Sequence, residues 1–364
     1  MTEAERLVRN LVQPRLRERD AYHVPDAGGL IKLDAMENPW PWPGELAGAW
    51  LKELKAAPVN RYPDATARRL VARLRATMKV PPAAALLLGN GSDELIQIIL
   101  MAVAGSGRAV MSPEPSFVMY RLLAETLGFR YVPVALAADD FGLDMDAMLA
   151  AIRIEQPAVI FLAYPNNPTG NLFPREQVER ILAAAPGLVV VDEAYTPFAG
   201  ASFLEDVAHH PNLLVMRTVS KLGLAGLRLG WLAGPGAWVT QLDKVRLPYN
   251  INVLTQLSAD FALRHYDVLE AQVAGLRQQR ELLTTELEAL SGLWVWPSRA
   301  NFLLFRTPPG RARSIFEGLK ARGVLVKCLD GAGPMLADCL RVTVSTPAEN
   351  RAFLTALEDA LAGG

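Results

Sequence analysis

The strongest constraint on the fold is a series of short runs in the middle of the chain that are apolar at every position rather than at every second one. Ala109-Val110-Met111, Ala158 to Ala163, Leu188 to Val191, Leu213 to Met216 and Leu229 to Ala233 all have this form. A strand apolar on both sides must be covered on both faces, the condition of a largely parallel sheet sandwiched between helices. The intervening segments supply those helices. Leu95, Ile98, Ile99, Ala102 and Val103 fall at helical spacing, and Pro174 stands as a first-turn proline before Glu176 to Ala184.

Beyond the sheet the pattern changes. Tyr266 to about Leu290 reads as one long helix leaving the sheet. Strands then follow at Phe302-Leu303-Leu304-Phe305, Leu325-Val326 and Leu340 to Val344, with helices at Ser314 to Arg322 and Pro347 to Leu361. With 364 residues, the chain exceeds one ordinary core. The expectation is an α/β protein: a mostly parallel mixed sheet in a large helix-covered domain, plus a smaller α+β domain. The expected boundaries are an N-terminal arm over 1–50 packing with the small domain, the large domain over 51–270 and the small domain over 271–364. Asn38 to Gly44, rich in proline and tryptophan, reads as irregular.

Lys221 lies between the apolar run ending at Met216 and the Gly/Ala-rich turn Gly223-Leu224-Ala225-Gly226. An ammonium with few charged neighbours tends to lose its proton, and a neutral amine can attack an aldehyde. Ser220 and Arg228 flank it with a hydroxyl and a guanidinium, both suited to phosphate. An aldehyde carrying a phosphate is pyridoxal 5'-phosphate. An isolated Ser-Lys pair after a strand reads far more readily as a surface feature, so the remaining requirements of that cofactor decide.

Asp192 ends the run Leu188 to Val191, at the strand edge where open α/β sheets hold ligands. Its carboxylate suits a protonated pyridine nitrogen, although metal ligands and helix caps also stand there. Tyr195 and Asn167, the latter in Tyr164-Pro165-Asn166-Asn167-Pro168-Thr169-Gly170, can donate to the ring oxygen; Asn-Asn-Pro-Thr-Gly alone is a turn. Gly91, Ser92 and Asp93 open the helix that runs through Val103, where free amides bind anions. Asp93 and Glu94 are equally the acids favoured in a first helical turn. Phe117 is placed to stack on the ring, or to serve the core.

With Asn167, Asp192, Tyr195, Ser220, Lys221 and Arg228 in this order, nearly the whole chain resembles the fold-type I pyridoxal-phosphate aminotransferases. Within them it most resembles the histidinol-phosphate aminotransferases, on Val8-Arg9-Asn10-Leu11, Met36-Glu37-Asn38-Pro39, Arg61-Tyr62-Pro63-Asp64, Ser92-Asp93-Glu94 and Cys339-Leu340-Arg341-Val342-Thr343. The resemblance implies a homodimer in which Tyr62 reaches the partner's cofactor phosphate. It further implies that Arg341 binds the substrate anion, with Asn38, Tyr62, Asn167, Lys327 and Tyr22 also at the substrate. The implied reaction moves an amino group between L-histidinol phosphate and 2-oxoglutarate, a histidine-biosynthesis step, with Lys221 the catalytic residue. Three departures stand out. Phe117 is often tyrosine in the family. Arg228 lies seven positions after Lys221, one fewer than in many members. Lys327 stands where relatives can carry a second arginine, retaining charge without the bidentate fork.

A net charge of -1 gives no general attraction to nucleic acid or anionic membranes. Cys328 and Cys339 as the only cysteines fit a reducing, cytoplasmic setting, and the scattered His23, His209, His210 and His265 show no zinc spacing, so no metal is expected. Neither a signal-peptide core nor a membrane-length apolar run is apparent. The rival readings are an aromatic or broad-specificity aminotransferase, an enzyme like threonine-phosphate decarboxylase, and a pyridoxal-phosphate-sensing regulator. The last would need a DNA-binding region that residues 1–50 do not resemble.

Overall fold

In the computed structural model residues 1–21 and 25–363 are described. A short strand, Ile31–Lys32 (β1), precedes a seven-stranded sheet of Ala85–Gly89 (β2), Val110–Glu114 (β3), Tyr131–Ala135 (β4), Val159–Ala163 (β5), Leu188–Asp192 (β6), Leu213–Thr218 (β7) and Gly230–Gly234 (β8). Its order is β2-β8-β7-β6-β5-β3-β4. Pairings from β4 across to β7 are parallel, whereas β8 runs antiparallel to both β7 and β2. Every residue of β5 and β6 is buried, as strands covered on both faces must be. The Leu229 to Ala233 run is the antiparallel member. Full burial leaves the same apolar signature whichever way a strand runs. β2 and β4, which the sequence reading passed over, complete the two edges.

The 24-residue helix Tyr266–Ala289 leads into a second sheet of Trp294–Val295 (β9), Phe302–Arg306 (β10), Lys327–Cys328 (β12) and Cys339–Thr343 (β13), ordered β12-β13-β10-β9, while Val324–Leu325 (β11) pairs in parallel with β1. Helices Ala312–Ala321 and Pro347–Ala362 pack on this unit. The first fifty residues divide their contacts. Residues 31–36 join the small unit, through β1 and through bonds between Thr343 and both Leu33 and Met36. Arg19 instead bonds Leu122 and Glu125 on a large-unit helix, and Trp42 stacks on Phe261.

Because β2 shares the direction of β7, the carboxyl ends of β2, β5, β6 and β7 gather at one edge. The loops leaving them form the site. Two glycines allow these loops to meet. Gly91 sits at φ 82°, in the left-handed region, and a Cβ on Gly230 would lie 2.6 Å from the Gly91 carbonyl carbon.

Candidate active site

A cavity of about 220 Å³ opens at this edge, its walls including Ser92, Asp93, Phe117, Asn167, Asp192, Tyr195, Ser220, Lys221 and Arg228. Nine residues from six separate chain segments therefore converge on one space.

Asp192, at the end of β6, is only 4 % exposed. Its Oδ2 accepts from the Tyr120 hydroxyl at 2.8 Å and its Oδ1 from the Ala194 amide at 3.1 Å. Burial pushes its carboxyl up to about 6, against the opposing pull of the Tyr120 hydrogen bond. Just past the next strand, β7, Lys221 sits in a short 3₁₀ turn, Ser220–Leu222. Its Nζ donates to the Ala35 carbonyl at 3.1 Å and lies 5.7 Å from the centre of the Tyr195 ring. Burial brings its ammonium down to about 8, with the positive charge of Arg341 acting in the same direction. An amine held there is still mostly protonated near neutral pH, but its neutral fraction is far larger than that of an ordinary lysine.

A second 3₁₀ turn, Ala225–Leu227, and a left-handed Arg228 at φ 48° bring the guanidinium back within the shortened interval. Arg228 reaches to 3.7 Å from Asp93 Oδ2, at the start of helix Ser92–Val103. Burial raises the Asp93 carboxyl, and its Oδ1 is buried with no hydrogen-bond partner among the described residues. Ser220 is buried and joined by its hydroxyl to Thr218. Amides at a helix start, a hydroxyl and an arginine thus share one end of the cavity, the donor set of an anion site. Glu94 serves the loop itself, accepting from the Asn90 amide and from Asn250, a residue the sequence reading did not single out.

Asn167 is fixed by its neighbour. Asn166, fully buried, donates to the Pro115 carbonyl at 2.9 Å and to Thr169 Oγ1 at 2.7 Å, and accepts from Ser116. Asn167 then donates to the Tyr195 hydroxyl at 3.3 Å and accepts from Arg341. Arg341, on β13 and 7 % exposed, also donates to the Asp34 carbonyl at 3.0 Å and lies over the Phe302 ring. Lys327 is directly opposite Arg341 in the antiparallel β12–β13 pair, so both project from the same face.

Two expected residues lie elsewhere. Asn38 turns to the lysine loop, donating to the Leu222 carbonyl and to Gln272 and accepting from the Trp40 amide. Tyr62 is 81 % exposed and stacked on Tyr249, outside the cavity. Tyr22 is outside the described residues. Tyr120 is the wall residue that sequence reasoning missed. Its signal was its place three residues beyond Phe117, on the same helical face.

An amine of lowered basicity, a buried carboxylate and an anion cradle at the carboxyl edge of a mixed sheet define a group-transfer enzyme built around a phosphorylated aldehyde cofactor. The chain belongs to the aminotransferase class I and II family, whose model matches residues 30–357. It is 56 % identical over 347 residues to histidinol-phosphate aminotransferase 2 of Nitrosococcus oceani, covering 95 % of this chain and 96 % of that one. It is 53 % identical over 351 residues to the histidinol-phosphate aminotransferase of Chromobacterium violaceum, covering 96 % and 98 %. Among solved structures it is similar to histidinol-phosphate aminotransferase from Sinorhizobium meliloti in complex with pyridoxal-5'-phosphate, at TM-score 0.86 and 25 % identity, covering 97 % and 98 %.

Proposed function

We propose that the cavity holds pyridoxal 5'-phosphate and that the protein transfers the amino group of L-histidinol phosphate to 2-oxoglutarate, giving imidazole acetol phosphate and L-glutamate. One observation carries this reading: a single cavity receives the Lys221 amine, the Asp192 carboxylate and the Ser92–Ser220–Arg228 cradle, one partner each for the aldehyde, the ring nitrogen and the phosphate. The Arg228 guanidinium at that end, 3.7 Å from Asp93 Oδ2, offers further donors to an anion. Two curated relatives more than half identical to the chain carry the histidinol-phosphate name.

When bound, the cofactor supplies an electron sink for the charge left at the substrate α-carbon. Lys221 would hold the aldehyde, and its Nζ would serve as the base and acid that carries the substrate's α-proton. Asp192 holds the ring nitrogen, and Asn167 and Tyr195 donate to the ring oxygen. Phe117 covers a ring face. The amides of Gly91, Ser92 and Asp93, the Ser220 hydroxyl and Arg228 hold the phosphate. Arg341 takes the glutamate carboxylate in one half-reaction and the substrate phosphate in the other, with Lys327 adding a point charge from the adjacent strand. An incoming anion exchanges with the bonds that Arg341 makes to Asn167 and Asp34.

The exposed Tyr62 fits a homodimer in which it completes the partner's phosphate site, and Asn38 ties the arm to the lysine loop beside the substrate. Among the described residues no helix is long and apolar enough to cross a membrane; the proposed setting is the cytoplasm. Mixing the holoenzyme with histidinol phosphate, and separately with phenylalanine, tests the assignment through the rate at which the cofactor spectrum passes to the amine form. Histidinol phosphate is expected to react at least about tenfold faster, since a site that pairs with a substrate's polar groups rejects analogues lacking them. Equal rates overturn it.

A further inference from the structure

Tyr120 is fully buried in helix Val118–Thr126, where its ring has little freedom. It lies parallel to Phe161 on β5, with centroids 4.7 Å apart and 6° between planes, and meets Phe117 edge-on at 5.5 Å. Two aromatic contacts at right angles fix the direction of its hydroxyl. That hydroxyl reaches one atom, Asp192 Oδ2, at 2.8 Å. Burial and the neighbouring carboxylate hold the phenol well above its ordinary range, so Tyr120 keeps its proton and is the donor in this bond.

The other Asp192 oxygen has, among the described residues, only the Ala194 amide. A buried carboxylate with two donors stays charged at the expense of its desolvation; remove one, and its affinity for a proton rises. The residue that shares a proton with this carboxylate is decisive for any ring it holds. A weakly basic carboxylate leaves the proton on the ring nitrogen, and a more basic one draws it across the bond.

We propose that Tyr120 is a positioning residue for the reaction: its hydroxyl keeps Asp192 in the carboxylate form, and so keeps the shared proton on the pyridine nitrogen of the bound cofactor. No bond between heavy atoms is made or broken; one proton changes its place between nitrogen and oxygen. The inference rests on the reading that pyridoxal 5'-phosphate fills the cavity. Because Phe117 touches both Tyr120 and the cavity, the same helix sets the ring-covering residue and the charge at the ring's far edge.

The test is the nitrogen resonance of holoenzyme loaded with pyridoxal 5'-phosphate carrying ¹⁵N in the ring, in the wild type and in Tyr120→Phe. In the wild type the signal is expected at the protonated-pyridine position. In Tyr120→Phe it moves toward the neutral-pyridine position, kcat falls about tenfold and KM changes less than about twofold. Should Tyr120→Phe not retain the cofactor, Tyr120→p-aminophenylalanine, which keeps the shape with a weaker donor, takes its place and shifts in the same direction. A wild-type spectrum showing only free cofactor overturns the cofactor reading and this inference with it. A bound wild-type signal that neither variant displaces overturns this inference alone.

Discussion

Asp192 and Glu193 are consecutive carboxylates at the end of the same strand, both buried, at 4 % and 1 % exposure, and they live in opposite chemical worlds. Glu193 is saturated: it accepts from Arg217 Nε at 2.8 Å, from Ser202 Oγ at 2.9 Å, from Thr196 Oγ1 at 3.2 Å and from the Phe203 amide. Arg217 is itself held over the Trp231 ring. Asp192 has two donors and faces a cavity. Alternation along the strand sends one side chain to a closed network and the next to an open site. A carboxylate fully paired on one side of the sheet serves the fold; one left underpaired on the other is available for a ligand.

The largest effect belongs to the cavity side. Lys221→Ala is expected to lose multiple turnover by at least about 10³-fold, since in the proposed mechanism one amine would serve both as anchor and as proton carrier. It should also lose the absorbance of the lysine-linked cofactor, while its ligand-free melting stays close to wild type. Normal turnover by that variant would remove Lys221 from the mechanism.

Glu193→Gln should do the reverse. It strands Arg217 and breaks a buried pair, with an expected loss of about 3 kcal/mol, read from denaturant midpoints. A stability unchanged within about 0.5 kcal/mol would show the network to be dispensable.

Asp192→Asn changes stability in the opposite direction. The folded carboxyl binds its proton up to about pH 6, above its ordinary 3.8. The folded state therefore holds more protons than the unfolded chain between those values, and ligand-free stability falls as pH rises through that window. The asparagine variant should escape this fall and be up to about 3 kcal/mol more stable than wild type at pH 7, while losing activity. Parallel stability curves from pH 4 to 7 would contradict the raised carboxyl of Asp192.

The sequence made much of this legible. Uniformly apolar runs identified the buried strands, and Asn167, Asp192, Lys221 and Arg228 stand out because polar groups at the ends of such runs need a reason. Other parts carried no such mark. An antiparallel β8 is as apolar as its parallel neighbours, and β4, at a sheet edge with Pro133 within it, lacks a continuous apolar run. Tyr120 looked like any core aromatic, because its partner Asp192 is 72 positions away and only the packing of β3, β5 and β6 brings them together. Asn38 belongs to a motif, yet its contacts are with the chain's own Leu222 and Gln272, a pairing that spacing does not reveal.

The near-contact of Gly230 with Gly91 also sets an order of events in time. These residues are far apart in sequence, and their meeting requires β8 to be seated against β2. Closing so long a segment is slow and comes late in assembly. The proposed phosphate cradle needs both loops in place, so it would exist only in a chain whose β2–β8 pair has formed. A cofactor held there would favour the folded chain over the unfolded one by mass action.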